Sequence, residues 1–456
     1  ETDANEEALL EYVKANFDKV IVVLNTGTTM EMADIQQDEG IDAVLWMGFP
    51  GSTGVMALGQ ILVGEDADGN EISPSGHTTD TWVADFTKDP TWYNTGVYDS
   101  EFGNRYLYDG NTTDYAFVNY EEGIYVGYRY WETRGYEEKQ ADPDSTWYED
   151  NVVYPFGYGL SYTTFSWEVT FEKADGSQIS ADDVIEVSVK VTNTGEHAGK
   201  DVVQLYYTAP YYEGGIEKAH VVLGDFVKTK LLAAGESETY TLSIAVKDMK
   251  SYDYSGANEN DKKGYELDRG NYTVGICANA HETRASATYE LEETVILSTD
   301  TDANGNTVTV ENRFDDVSAG IFGTNTAESY VTRADFAGTV PTDYLPDSER
   351  TLTAELKETL DNTSTKLKYT ASDEGMPWEV TGEAPSTTPV NNGISLMDML
   401  YDENGEYVGS VDFDDERWDD LIAQISLDEM KTLVGYAAFR TNAVAGVDGV
   451  VNKPLT

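Results

Sequence analysis

The sequence predicts a mixed, multidomain chain: part of an α/β layer with a parallel sheet, then a β-sandwich, then a mostly irregular or helical C-terminal segment. Three observations carry this. Helical periodicity alternates with continuous apolar runs near the N-terminus, which is the pattern of parallel strands buried between helices. From 164 to 297 apolar and polar residues alternate with period two between turn signals. At 456 residues the chain exceeds what one hydrophobic core supports, and roughly three domains is the expectation from length.

The first part, residues 1–85, opens with Leu9, Val13 and Phe17 at i, i+4, i+8, and Asp3 and Glu6 stand in capping-box positions, so 3–17 is expected to be an amphipathic helix. Val20-Ile-Val-Val-Leu24 and the run 41–46 read as strands buried on both faces. Pro50-Gly51 turns the chain into a helix with Val55, Leu58 and Leu62 on one face. Two parallel strands leave edges that a small domain does not tolerate, so they are expected to be the last part of a larger sheet. Asn25-Thr-Gly-Thr-Thr29 lacks the G-x-G-x-x-G spacing and a phosphate-binding lysine, which argues against a nucleotide site.

Residues 64–150 are rich in Asp, Gly, Asn and Tyr and poor in periodicity, and 86–163 is expected to be a loop-rich linker. It ends on Tyr154-Pro-Phe-Gly-Tyr-Gly-Leu-Ser-Tyr-Thr-Thr-Phe165. Here Pro155, Gly157 and Gly159 forbid a regular helix or central strand, while five aromatics and Leu160 call for burial, so this is a rigid hinge packed between two bodies. In 164–297, Ile185, Val187, Val189 and Val191 alternate with polar residues, as do Tyr240, Leu242, Ile244 and Val246. Turns at Asp175-Gly176, Asn193-Thr-Gly195 and Ala234-Gly235 separate roughly seven strands, the count of a β-sandwich.

Residues 298–415 read as an irregular insertion, with a long surface excursion over 341–392 and one helix near 352–360. Asp300, Asp302, Asn304, Gly305 and Glu311 fit a calcium-loop spacing, but strand-like residues flank them where that loop needs helices, so a hairpin turn at Asn304-Gly305 is the better reading. In 416–456, Trp418, Leu421, Ile422 and Ile425 share a helical face and Ser426-Leu-Asp-Glu429 is a capping box for a second helix.

Charge limits the partners. Lys+Arg 29 against Asp+Glu 84 gives a net charge of −55, which repels nucleic acid and anionic membrane surfaces. No run of about 18 apolar residues is present to span a bilayer as a helix. The single Cys277 excludes an internal disulfide framework and reads as a buried inert thiol, and no Cys/His cluster has zinc spacing, so neither metal nor cofactor is expected. The chain opens on Glu1 rather than Met, which allows for a processed or truncated start.

Two stretches carry a resemblance. The 154–165 peptide and Asn119-Tyr-Glu-Glu-Gly-Ile-Tyr-Val-Gly-Tyr-Arg-Tyr-Trp131 resemble the junction, in glycoside hydrolase family 3, between the α/β sandwich domain and the fibronectin type III-like domain. Ser73-Pro-Ser-Gly-His77, Asp80-Thr-Trp82 and Asp89-Pro-Thr-Trp92 resemble the loop after the family's last sandwich helix, with His77 where the family usually has Arg. Ile394-Ser-Leu-Met-Asp398, the helix pair and 437–454 resemble the lead-in to the catalytic (β/α)8 barrel in members whose barrel follows the sandwich domains.

The resemblance implies an exo-acting, retaining β-glycosidase, above all a β-glucosidase, acting on β-linked oligosaccharides or glycosides in polysaccharide degradation. Such chemistry needs two carboxyl groups about 5–5.5 Å apart. By the resemblance the nucleophile is an Asp of the barrel and the acid–base a Glu upstream of the first helix. Both fall outside this chain, and Glu1 lies too close to the helix to serve. No catalytic residue is therefore expected here, and the chain alone is expected to be inactive, with its barrel on another segment or chain.

Glu121-Glu122 sit at a strand entrance in the family motif and read as solvated or ion-paired surface. His77 reads as a loop cap. Trp92, Tyr93, Tyr106 and Tyr108 are candidates to face the aglycone side of a cleft, by stacking on sugar rings. The alternative class is a cell-surface carbohydrate-binding or adhesive module without turnover. An extracellular or cell-surface setting suits the acidic, cysteine-poor composition, a cytoplasmic one being the alternative, and oligomeric state is left open.

Overall fold

A computed structural model describes residues 4–94, 104–254, 264–301, 305–310 and 330–366, and further on 390, 393–395, 415, 417–426 and 430. The chain starts α1 (Ala4–Asn16), β1 (Ile21–Leu24), α2 (Ala33–Gln37), β2 (Ala43–Trp46) and α3 (Gly51–Val63). β1 and β2 pair in parallel from Ile21 with Ala43 to Leu24 with Trp46, and they cover buried Leu24, Met32 and Trp82. Lys14 reaches Asp38 at 2.5 Å and so ties α1 to the loop before β2.

The expected burial of both strand faces is not seen among the described residues. Ile21 is 48% exposed, and Leu9, Val55 and Leu62 of the two flanking helices also face outward, as does Phe17 just after α1. The helices form as their periodicity predicts, but what their apolar stripes would pack on is not among the described elements.

The region after α3 is more ordered than its composition suggests. β3 (Trp82–Val83) is followed by a hairpin of β4 (Arg105–Tyr108) and β5 (Asn111–Ala116), then α4 (Tyr128–Ala141), α5 (Trp147–Asn151) and β6 (Val152–Tyr154), which pairs antiparallel with β3. The family motif at 119–131 thus leads into a helix and not into a strand. Gly127, at φ +57°, supplies the left-handed residue that lets the chain turn into α4. Sequence periodicity missed α4 because its buried face is made of Tyr130, Trp131, Glu132, Thr133 and Gly135, an unusual mixture of aromatic, polar and small residues.

The β-rich part comprises β7 (Phe165–Phe171), β8 (Val184–Asn193), β9 (Val202–Thr208), β10 (Val222–Lys228), β11 (Ser237–Ala245), β12 (Ser251–Asp253), β13 (Gly264–Leu267), β14 (Gly270–Cys277), β15 (Thr283–Leu291) and β16 (Val295–Leu297). A four-stranded sheet in the order β10-β9-β14-β15 faces a three-stranded sheet in the order β11-β8-β7, and β12-β13-β16 form a smaller sheet. Ile185, Val187 and Val189 lie opposite Ile244, Leu242 and Tyr240, and they share one core with Val203, Leu205, Val274 and Ile276 of the facing sheet. Period-two burial fixes this register, because a one-residue slip would turn every valine outward.

β17 (Thr299–Thr301) and β18 (Thr307–Thr309) form an antiparallel hairpin, as the turn reading requires, with Gly305 at φ +82°; Asp302, Asn304 and Glu311 of the calcium-like spacing lie outside the described residues. The insertion packs on the body before the expected excursion over 341–392 begins. Residues 330–352 return to the body, where Val331, Phe336, α6 (Phe336–Thr339) and Val340 join the core of Tyr125, Tyr130 and Trp131. Leu352 is also buried. α7 (Ala354–Lys366) follows, slightly later than expected. Separately, α8 (Arg417–Ile422) buries Leu421 and leaves Ile422 exposed, and Ala423 O accepts from Val390 N at 3.0 Å. The expected second helix falls almost wholly outside the described residues.

Candidate functional site

The hinge peptide is the point where the two bodies lock. Gly157, at φ +80°, is placed so that a Cβ would overlap the Gln204 amide, and a Cβ on Gly159 would overlap Gly76 O. Gln204 Nε2 donates to Gly157 O at 3.0 Å and to Ala278 O at 2.9 Å, while Tyr206 Oη donates to Gln204 Oε1 at 2.8 Å. On the α/β side Thr78 Oγ1 donates to Pro155 O at 2.6 Å, and Phe156 stacks on Tyr128 at 4.5 Å. The glycines therefore admit backbone from two directions. Leu160 and Tyr162 are exposed, against expectation, because the peptide's close contacts are made by its backbone and by Phe156 rather than by every apolar side chain.

Beside the hinge lies a cleft of about 250 Å³ lined by Asp80, Thr81, Asp89, Trp92, Gly127 and Trp131 among others. Asp89 is committed to holding its own loop: Oδ1 accepts from Thr91 N at 2.9 Å and Oδ2 from Trp131 Nε1 at 3.2 Å. Asp80 accepts from Thr81 N at 2.9 Å, and burial raises its pKa above the usual carboxylate value. Thr81 Oγ1 is buried without a partner among the described residues. The cleft offers a polar floor and the half-exposed Trp92 rim.

The aromatic candidates do not converge. Trp92 stacks on Phe86 at 6.4 Å, Tyr93 packs edge-on to Tyr344 at 5.2 Å, Tyr106 lies against Phe117 at 4.4 Å, and Tyr108 sits under Lys357 at 5.7 Å. Only Trp92 lines the cleft. His77 contacts Ser75 O at 3.4 Å through Nδ1, and burial lowers its pKa, so it is neutral and caps its loop as expected. Glu122 corrects the surface reading: it is buried and accepts from Asn94 Nδ2, and burial raises its pKa. Glu121 accepts from Asn119 Nδ2. Cys277 is buried in β14, with its thiol pushed up to about 11 by burial, which makes it a poor nucleophile.

Two polar clusters escaped the sequence. Glu132 of α4 accepts from Tyr148 Oη and lies 2.9 Å from His281 Nδ1, whose imidazole stacks on Tyr148 at 3.9 Å; this hydrogen bond to Glu132 raises the His281 pKa. Glu217 accepts from Tyr125 Oη, Thr332 Oγ1 and Arg333 N, and Arg333 Nε pairs with Glu137 at 2.6 Å. Both join residues more than 80 positions apart, so no local pattern announces them.

An α/β layer, an aromatic and glycine-rich joining peptide and a seven-stranded sandwich define a multidomain architecture. Comparison with known proteins makes the class specific. Residues 1–128 match the glycosyl hydrolase family 3 C-terminal domain, and residues 201–280 match the fibronectin type III-like domain. Beta-glucosidase A of Butyrivibrio fibrisolvens is 36% identical over 305 residues, covering 64% of this chain and 32% of that protein. A beta-glucosidase of Ruminococcus albus is 33% identical over 292 residues, covering 64% of this chain and 26% of that protein. The crystal structure of a beta-glucosidase from Paenibacillus barengoltzii superposes with a TM-score of 0.51 at 31% identity, over 68% of this chain and 32% of that one. The chain is thus similar to the C-terminal domain of glycosyl hydrolase family 3 in one segment and to a fibronectin type III-like domain in another. It spans about a third or less of the length of these relatives.

Proposed function

We propose that this chain is the non-catalytic portion of a retaining, exo-acting β-glycosidase, a β-glucosidase in the first instance, that removes terminal non-reducing β-D-glycosyl residues from oligosaccharides or glycosides. The observation that carries the reading is the likeness to named β-glucosidases at over 30% identity across nearly two thirds of the chain. The outward-facing apolar stripes of α1 and α3 support it further, since a larger sandwich sheet and its helices would cover them. Partition at 85 or 86, 163 or 164, and 297 or 298 belongs to the same proposal, as do a barrel following 416–456 and an extracellular or cell-surface setting.

In this reading the chain contributes architecture. The hinge holds the sandwich rigidly against the α/β layer, and the cleft at Asp80 and Trp92 faces the side where a leaving group would depart. The test is hydrolysis of an aryl β-glucoside with release of free glucose by the intact protein, set beside the isolated 456-residue chain. Turnover by the intact protein and none by the chain is expected. Turnover by the chain itself would refute the assignment of both carboxylates elsewhere; saccharide binding by an intact protein that never hydrolyses would make it an adhesive module.

A further inference from the structure

The β-sandwich holds a second, larger concavity. β10 is the edge of the four-stranded sheet and β11 the edge of the three-stranded one, and a bulge in β10 between Leu223 and Asp225 opens the seam between them. The seam is held at fixed width. Asp225 Oδ2 accepts from Ser243 N of β11 at 2.9 Å, and Leu223 N donates to Tyr128 Oη at the start of α4 at 3.0 Å. The resulting cleft of about 550 Å³ has Tyr207, Val222, Leu223 and Ile244 in its walls, with Arg129 and Asp248 also lining it.

Its polar groups are unspent. Tyr207 is only 9% exposed, and its ring lines the cleft with no hydrogen bond from its hydroxyl among the described residues. Neither Arg129 nor Asp248 has an ion-pair partner among the described residues. A hydroxyl open to a preformed cleft, beside a guanidinium and a carboxylate, can be met by a group supplied from outside.

From this geometry we propose that the seam between β10 and β11 is a binding site for a neutral saccharide. The volume lies within the range of small-molecule sites and suits about two or three pyranose rings. Arg129 donates, Asp248 accepts and the Tyr207 hydroxyl does either, which is what neighbouring sugar hydroxyls require. Val222, Leu223 and Ile244 supply an apolar wall for the C–H faces of the rings. An anion meets Asp248 and a chain of net charge −55, while a cation meets Arg129, so the mixed lining selects against both.

The experiment is calorimetric titration of the full chain with cellotriose, repeated on Tyr207→Phe and Asp248→Asn and with glycine as a zwitterionic competitor. Binding is expected, weakened roughly fivefold to tenfold by Tyr207→Phe, with the Tm unchanged because that hydroxyl bonds to nothing among the described residues. No heat at millimolar cellotriose, binding indifferent to both substitutions, or displacement of cellotriose by glycine would each overturn the proposal. The titration needs no turnover, so its failure leaves the hydrolysis reading standing, and the reverse holds too.

Discussion

Replacing Arg333 by alanine should release the returning segment 330–340 from the body. The side chain is buried, with Nη1 donating to Lys218 O at 3.0 Å, Nε to Glu137 Oε1 at 2.6 Å, and the guanidinium 4.3 Å over the Tyr211 ring. A charge-assisted hydrogen bond to a buried carbonyl contributes about 1.5–3 kcal/mol, a pair with a partly exposed glutamate about 1 kcal/mol, and the stacked cation about 0.5–1 kcal/mol. Because the three share one group they do not add fully, and a loss of about 3–4 kcal/mol is expected. The measurement is native-state hydrogen exchange of amides in 330–340, which should quicken by roughly a few hundredfold. Arg333→Lys keeps the charge but loses the planar fork, so it should restore only a minor part. Exchange unchanged within a factor of about three in Arg333→Ala would show that the latch is held by Phe336 and Val340 alone, and the polar argument would fall.

Two further outcomes follow from single sites. His220 stacks on Tyr136 at 3.8 Å with its Nδ1 buried and unpaired, and burial lowers its pKa to about 4. The unfolded chain then binds the extra proton first, so this site's stabilisation is present above the ordinary histidine value near 6.5 and is lost as pH falls from there toward 4. Urea unfolding should show His220→Phe losing less stability than the native chain across that window, by about 2–3 kcal/mol; parallel pH profiles would contradict it. Gly159→Ala drives a methyl into Gly76 O and to 3.0 Å from His77 Cγ, and thermal unfolding should report a loss of about 2–3 kcal/mol. Gly176→Ala, at φ +77° in an open turn, meets only backbone strain and should cost about 1 kcal/mol; equal losses at the two sites would refute the steric account of the hinge.

What the amino-acid sequence determined by itself was whatever depends on neighbours within about ten positions. Alternation at 185–191 and 240–246 fixed two paired strands and their inward faces, the apolar runs at 20–24 and 41–46 fixed the parallel pair, and Asn304-Gly305 fixed a turn. The paired motifs at 119–131 and 154–165 carried the resemblance, since their glycines and aromatics serve a junction whose geometry tolerates little else.

Only the tertiary structure decided what depends on residues far apart. It turned Glu122 from a surface acid into a buried acceptor of Asn94, brought His281 to Glu132 and Arg333 to Glu137, and folded 330–352 into a core that its composition does not advertise. It also set Tyr207 beside Arg129 and Asp248 in one open seam. The physical reason is that a buried polar group is defined by its complement, and that complement comes from a different element at an unconstrained sequence distance. Periodicity records which face is buried. It does not record what lies opposite.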